Sequence, residues 1–171
     1  MTIDVARLKI LIYPAAPLRV MAEPVSTIDG TVRAVAARMI ELTRQARGVG
    51  LAAPQVGLAW RMFTTAGDES EPDRVFINPR LLNLTGDLVS REEGCLSLPG
   101  INVDIRRPDS TTITAQDLDG ASFTLTADDL TARVWQHEYD HLDGILIIDK
   151  MTPIDRLATR KALKELEATS P

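Results

Sequence analysis

The chain has two histidines, His137 and His141, and one cysteine, Cys95. Both histidines fall within Gln136-His137-Glu138-Tyr139-Asp140-His141, the spacing H-E-x-x-H. On a helix, residues four apart lie about 40° apart around the axis and about 6 Å along it, so both imidazoles reach one cation. Glu138 sits about 100° from His137 and about 60° from His141, bordering the ligand stripe without belonging to it. That place suits a general base acting on a metal-activated water. The plain alternative is two helix histidines that pack, or pair with Asp140 and Asp143. Both histidines of the chain sharing one motif favours the metal.

Two imidazoles do not complete a site, so a third donor must be a cysteine or a carboxylate. Cys95 lies in Glu92-Glu93-Gly94-Cys95-Leu96-Ser97-Leu98-Pro99-Gly100, where flanking glycines and proline predict a turn or strand end. A lone cysteine is more often a small buried hydrophobe. A His₂Cys site would leave one position for water, as a catalytic metal needs, and ligand softness alone favours zinc. A third segment, Gly48 to Gly57, carries no charge, and Gln55 is its one polar side chain. Alone it reads as a tight turn packed in a core, and its glycines do not match a dinucleotide fingerprint. A buried amide needs partners, and donation to an oxyanion is one way to have them.

Composition and hydrophobic pattern outline the scaffold around these residues. The length of 171 residues suits one domain, taken as 1–171, and 44% hydrophobic with 25% charged residues is ordinary globular usage. A net charge of −5 and a pI near 5.0 argue against a general nucleic-acid binder or a basic membrane-surface protein. One cysteine excludes an intrachain disulfide and points to a reducing, cytoplasmic setting. The apolar run Leu8, Ile10, Leu11, Ile12 is too short for a membrane span and reads as a strand or extended arm. Ser26 or Asp29 is expected to cap a helix to about Ala46, with Val32, Val35, Ala36, Met39 and Ile40 on its buried face and Gly48 ending it.

After the polar loop at 67–73, Val75 to Leu82 reads as a short strand ending at Asn78-Pro79. Thr111 to Asp117 and Ala121 to Thr126 read as a hairpin turning at Gly120. Thr126 or Asp128 then caps the helix that carries H-E-x-x-H and ends at Gly144. A C-terminal helix is expected over 153–168. The fold class is α+β: antiparallel sheets packed around a central metal-binding helix.

Three segments together resemble the peptide deformylase family of bacterial type. That family carries G-x-G-L-A-A-x-Q, then E-G-C-L-S, then Q-H-E-x-D-H. The sequence matches all three, at Gly48–Gln55, Glu93–Ser97 and Gln136–His141. Weaker matches are Leu18-Arg19, Glu23-Pro24-Val25, Ile77-Asn78-Pro79 and Leu142-Asp143-Gly144. Departures are Asp129, where glycine is common, Ile147, where an aromatic is common, and a Met62 to Ala66 stretch poorer in β-branched residues.

The resemblance implies hydrolysis of the N-formyl group from the initiator methionine of new polypeptides, with release of formate. It implies Cys95, His137 and His141 as metal ligands and Glu138 as base and then proton donor. Gln55 and the Leu96 N–H become oxyanion donors. The strand around Val49 and Gly50 would pair with substrate backbone, and Val49, Leu130 and Val134 would hold the methionine side chain. Arg107 matches an arginine often near the pocket, but is read with little weight as a charge whose position drifts. The metal implied is Fe(II), replaceable by zinc, nickel or cobalt, and the partners are nascent N-formylmethionyl polypeptides, with no membrane and no free nucleic acid.

Two other readings compete. An H-E-x-x-H metalloprotease would take Glu165 or Glu167 as third ligand. A non-catalytic relative would bind formylated peptides, but would have no use for Glu138. In the C-terminal helix, Ile154, Ala158, Ala162 and Leu166 recur every four residues and are expected to dock it. Arg156, Arg160 and Lys164 form a basic stripe, read either as a solvated face or, by resemblance, as a ribosome-binding one.

Overall fold

Apolar residues spaced by three and four build α1, Gly30–Gln45. Asp29 caps it, its Oδ1 accepting from the Thr31 and Val32 N–H groups at 2.8 and 3.0 Å and so satisfying two donors of the open first turn. Val32, Val35, Ala36 and Met39 are buried, and Ile40 is half-buried at the edge of the same face. The helix stop differs from expectation. Arg47, not Gly48, takes the left-handed position, at φ 55°. Its N–H reaches Arg44 O at 3.0 Å and the Gly48 N–H reaches Thr43 O at 2.8 Å, the two bonds of a Schellman closure.

This computed structural model describes residues 3–69 and 71–169; Ser70, within the expected 67–73 loop, lies outside them. Five antiparallel strands pair in chain order: β1 Gly50–Ala52, β2 Met62–Thr65, β3 Arg74–Gly94, β4 Asn102–Gln116 and β5 Ser122–Asp128. They make one sheet, with β1 at its edge. The N-terminal arm runs alongside as an extended segment, the Leu11 N–H bonding to Gln55 O and the Tyr13 N–H to Ser97 O.

The short strand expected to end at Asn78-Pro79 is instead one long strand, β3. A register shift between Ile77 and Arg80 absorbs the proline, which has no N–H to give the ladder. Asn78 adopts φ 51° there. Its side chain bridges the Val25 backbone and Gln116, which holds the bulge in place. The β4–β5 hairpin turns at Gly120, φ 79°, as the sequence predicts.

α2, Asp129–Leu142, carries H-E-x-x-H. Asp128 stands at its N-cap position without a side-chain capping bond. Asp129 takes φ 51°, the conformation that suits the family's usual glycine, and accepts from Arg91 Nη2 at 2.7 Å. Gly144 ends the turn at φ 71°, where a Cβ would lie 2.7 Å from Arg19 O. One face of α2, through Trp135 and Leu142, joins the core that includes stacked Phe63 and Phe76. The opposite side is left for chemistry.

A short helix not expected from sequence, α3 Ile147–Lys150, buries Ile147 and Ile148 beside Leu18, Leu98 and Ile105. α4, Pro153–Thr169, follows. Ala162, Leu163 and Leu166 pack against that cluster, but Ile154 is 79% exposed and Leu157 72%. The expected row of four-residue steps therefore does not dock as one face. Each step of four drifts about 40° around the helix, so Ile154 and Leu166 point in different directions. Arg156 is exposed, and its Nη2 donates to Ile148 O.

Candidate active site

Cys95 follows β3 at the start of the turn into β4, and the helix spacing sets His137 and His141 one turn apart on α2. These three bring their donor atoms within 4.8 Å of one another. Cys95 Sγ is 3.3 Å from His141 Nε2, and the two Nε2 atoms are 3.3 Å apart. A tetrahedral ion about 2.05 Å from each nitrogen would space them by about 3.3 Å. The charge balance agrees. Burial works against a cation on His137, but Cys95 and Glu93 outweigh it and push its pKa up to about 10, while burial and His137 hold His141 well below its ordinary value. The cluster is a place for positive charge, and the donor set fits a divalent transition metal.

Glu93 is the residue that sequence reasoning missed. Its Oε2 lies 3.0 Å from His137 Nδ1 and accepts from Arg107 Nη2 at 2.9 Å, while Oε1 accepts from Arg107 Nε at 2.6 Å and Arg133 Nη1 at 2.7 Å. Four donors saturate one carboxylate. Burial pushes this carboxyl up, but the bonds from His137 and Arg107 prevail and hold it at about 2. The carboxylate fixes the tautomer and orientation of His137 so that Nε2 faces the donor cluster. Arg107 is 3% exposed and also pairs with Asp140, so it is a buried structural charge rather than a drifting surface one. The sequence offered one hint: Arg133 lies four residues before His137, on the same helical face.

Glu138 is 4% exposed and its Oε2 has no hydrogen-bond partner among the described residues. Burial raises it to about 7 against the lowering influence of His137 and Arg107. Gln55 is also buried. Its Oε1 accepts from the Ala52 N–H at 2.8 Å, and its Nε2 donates to Ser97 Oγ at 3.2 Å and approaches Cys95 Sγ at 3.6 Å. The amide's partners are thus met within the protein, which aims Nε2 at the cluster. Leu96 N–H makes no backbone hydrogen bond among the described residues.

A cleft of ≈ 340 Å³ opens over these groups. Val49, Gly50, Leu130 and Val134, the expected substrate-contacting residues, all line it, with Gln55, Leu96 and Glu138. Glu165 and Glu167 do not approach the histidines: Glu167 accepts from the Tyr13 hydroxyl and Glu165 faces Lys161 in the solvent. The metalloprotease alternative loses its third ligand to Cys95.

Two imidazoles and a cysteine sulfur around one point, with a buried carboxylate beside them under an open cleft, fit a metal-dependent hydrolase. The sequence profile of the family "Polypeptide deformylase" matches residues 7–157. The chain is 42% identical over 142 residues to the peptide deformylase of Borreliella burgdorferi, covering 83% of this chain and 86% of that one. It is 38% identical over 166 residues to a chloroplastic peptide deformylase of Solanum lycopersicum, covering 95% of this chain but 60% of that longer one. A plant peptide deformylase crystal structure superposes with a TM-score of 0.92 at 36% identity, over 98% of this chain and 92% of that one. The chain belongs to the polypeptide deformylase family, metal-dependent enzymes that remove the N-formyl group from nascent chains.

Proposed function

We propose that Cys95, His137 and His141 hold the catalytic metal of this deformylase, with Glu138 as its base. The observation that supports this reading is the convergence of the only cysteine and both histidines within 4.8 Å, beside a carboxylate raised to about 7. A divalent cation held there supplies a nucleophilic water near neutral pH and polarises the formyl carbonyl. Glu138 takes a proton as the water oxygen bonds to the formyl carbon, then gives it to the departing nitrogen as the C–N bond breaks, leaving formate and a free amine. Gln55 Nε2 and the Leu96 N–H donate to the carbonyl oxygen as it gains negative charge. Val49, Leu130 and Val134 receive the methionine side chain, while the free edge of β1 at Gly50 pairs with substrate backbone. Formate release from formyl-Met-Ala tests the reaction, and retention of metal in Cys95→Ser tests the ligand set.

The physiological metal proposed is iron(II), with zinc, nickel or cobalt able to replace it. A Cys95 thiolate bound to an oxidisable, open-coordinate iron(II) would invite oxidation of both, which suits a reducing compartment such as the cytoplasm. Iron and nickel forms with equal half-lives in air would contradict this. No helix among the described residues is long and apolar enough to cross a membrane. The ribosome is proposed as a partner through α4, where Arg160 and Lys164 are exposed. A nascent substrate makes such tethering useful. A chain ending at Met151 should lose ribosome co-sedimentation at low salt. Because Ala162, Leu163 and Leu166 pack on the core, the charge reversals Arg160→Glu and Lys164→Glu provide the same test in an intact fold.

A further inference from the structure

Arg47 occupies a position that its own chemistry disfavours. It is the left-handed residue of the α1 closure, φ 55°, where glycine is the usual choice and a side chain costs about 1 kcal/mol. Its guanidinium makes no hydrogen bond or ion pair among the described residues. Nothing in the fold therefore accounts for an arginine there. Its location does: it lines the mouth of the catalytic cleft, immediately before Gly48, Val49 and Gly50. An unfavourable backbone state retained at a functional cleft points from the outlier to a role for its side chain.

The edge strand sets where along a substrate that side chain acts. Gly50 touches Glu138, so the formyl end of a bound chain lies at Gly50. A peptide paired at Gly50, the first residue of β1, and extended beyond the start of the strand advances about 3.3 Å per residue towards Arg47. Two residues, Gly48 and Val49, separate Gly50 from Arg47, and a long arginine side chain reaches back across part of that span. Its charge then falls beside the third residue of the substrate, beyond the pocket for methionine. Glu92, exposed and likewise without a side-chain partner among the described residues, also lines the cleft and carries the opposite charge.

We propose that Arg47 is a specificity residue that favours substrates with an acidic side chain at their third position. This rests on the deformylase reading of the site. An exposed ion pair of this kind alters kcat/KM by about two- to fivefold and fades at high salt.

The test uses formyl-Met-Ala-X-Ala peptides with X as Glu, Ala or Lys. The readout is the ratio of kcat/KM for Glu over Lys, in the wild type and in Arg47→Gly, Arg47→Glu and Arg47→Lys. The ratio should fall two- to fivefold in Arg47→Gly, fall further in Arg47→Glu and be kept in Arg47→Lys. Arg47→Gly should also melt at the same temperature as the wild type or higher, since glycine suits that φ. An unchanged ratio in Arg47→Gly, or a ratio insensitive to salt, overturns the proposal while formate release from wild type leaves the deformylase reading standing. No formate from any peptide with the metal-loaded wild type overturns the reading itself, and the proposal with it.

Discussion

Gly50 and Glu138 are in contact so close that a Cβ on Gly50 would stand 2.6 Å from Glu138 Oε1 and 2.9 Å from its Cγ and Cδ. The glycine thus lets β1 approach the catalytic helix and leaves the carboxylate its place. Glu138 is buried, so it has little room to give way.

Gly50→Ala should therefore push Glu138 out of line while leaving the three proposed ligands, Cys95, His137 and His141, alone. A misplacement of about 1 Å can cost about 10²-fold in rate. A fall of that order in kcat, with metal content at wild-type level, is the expected result. Activity within threefold of wild type would show that Glu138 has freedom the packing denies it.

Glu138→Gln keeps the shape and removes the proton acceptor. Metal content and melting temperature should stay close to wild type, while turnover drops by about 10²–10⁴-fold or more, since the same group also protonates the leaving amine. Retention of more than a tenth of the activity would refute its assignment as base.

The pH profile follows from the same carboxylate. Burial raises Glu138 to about 7, and a base works only when ionised. kcat/KM should fall about tenfold per unit as pH drops below about 7. Stopped assays from pH 5 to 9 on the metal-loaded enzyme check this. An acid limb centred near the ordinary 4.5 would show that the bound metal cancels the effect of burial.

Glu93 works in the opposite direction. Its folded pKa of about 2 lies below the ordinary 4.5, so the stability it contributes is full above 4.5 and disappears as pH falls towards 2. Glu93→Gln leaves Arg107 and Arg133 buried without their shared carboxylate, a loss of about 3–5 kcal/mol. Metal affinity should also weaken about 10–100-fold, because His137 loses its orienting partner. Denaturant titrations and competitive metal binding measure both. Wild-type stability at pH 7 in Glu93→Gln would mean the two arginines find other acceptors.

The histidine pair proposed to bind metal and the carboxylate proposed as base were legible because their arrangement is local. Helix geometry alone sets His137, His141 and Glu138 relative to one another, and the periodic apolar residues that build α1 and α2 act over the same few turns. The hairpin at Gly120 is local in the same way. Other features depend on pairings between distant parts of the chain. Cys95 meets His141 only because the β3–β4 turn folds over α2, and no spacing encodes that distance. Glu93, Arg107 and Arg133 lie far apart in sequence, and only the packing of α2 on β3 and β4 buries them against one another. β3 continues past Pro79 because Asn78 finds partners in Val25 and Gln116. α4 turns Ile154 outward because its core contacts begin two turns later. Short-range periodicity is written by backbone geometry, whereas the choice of partners for buried charge is made by the tertiary structure, where desolvation forces each group to find one.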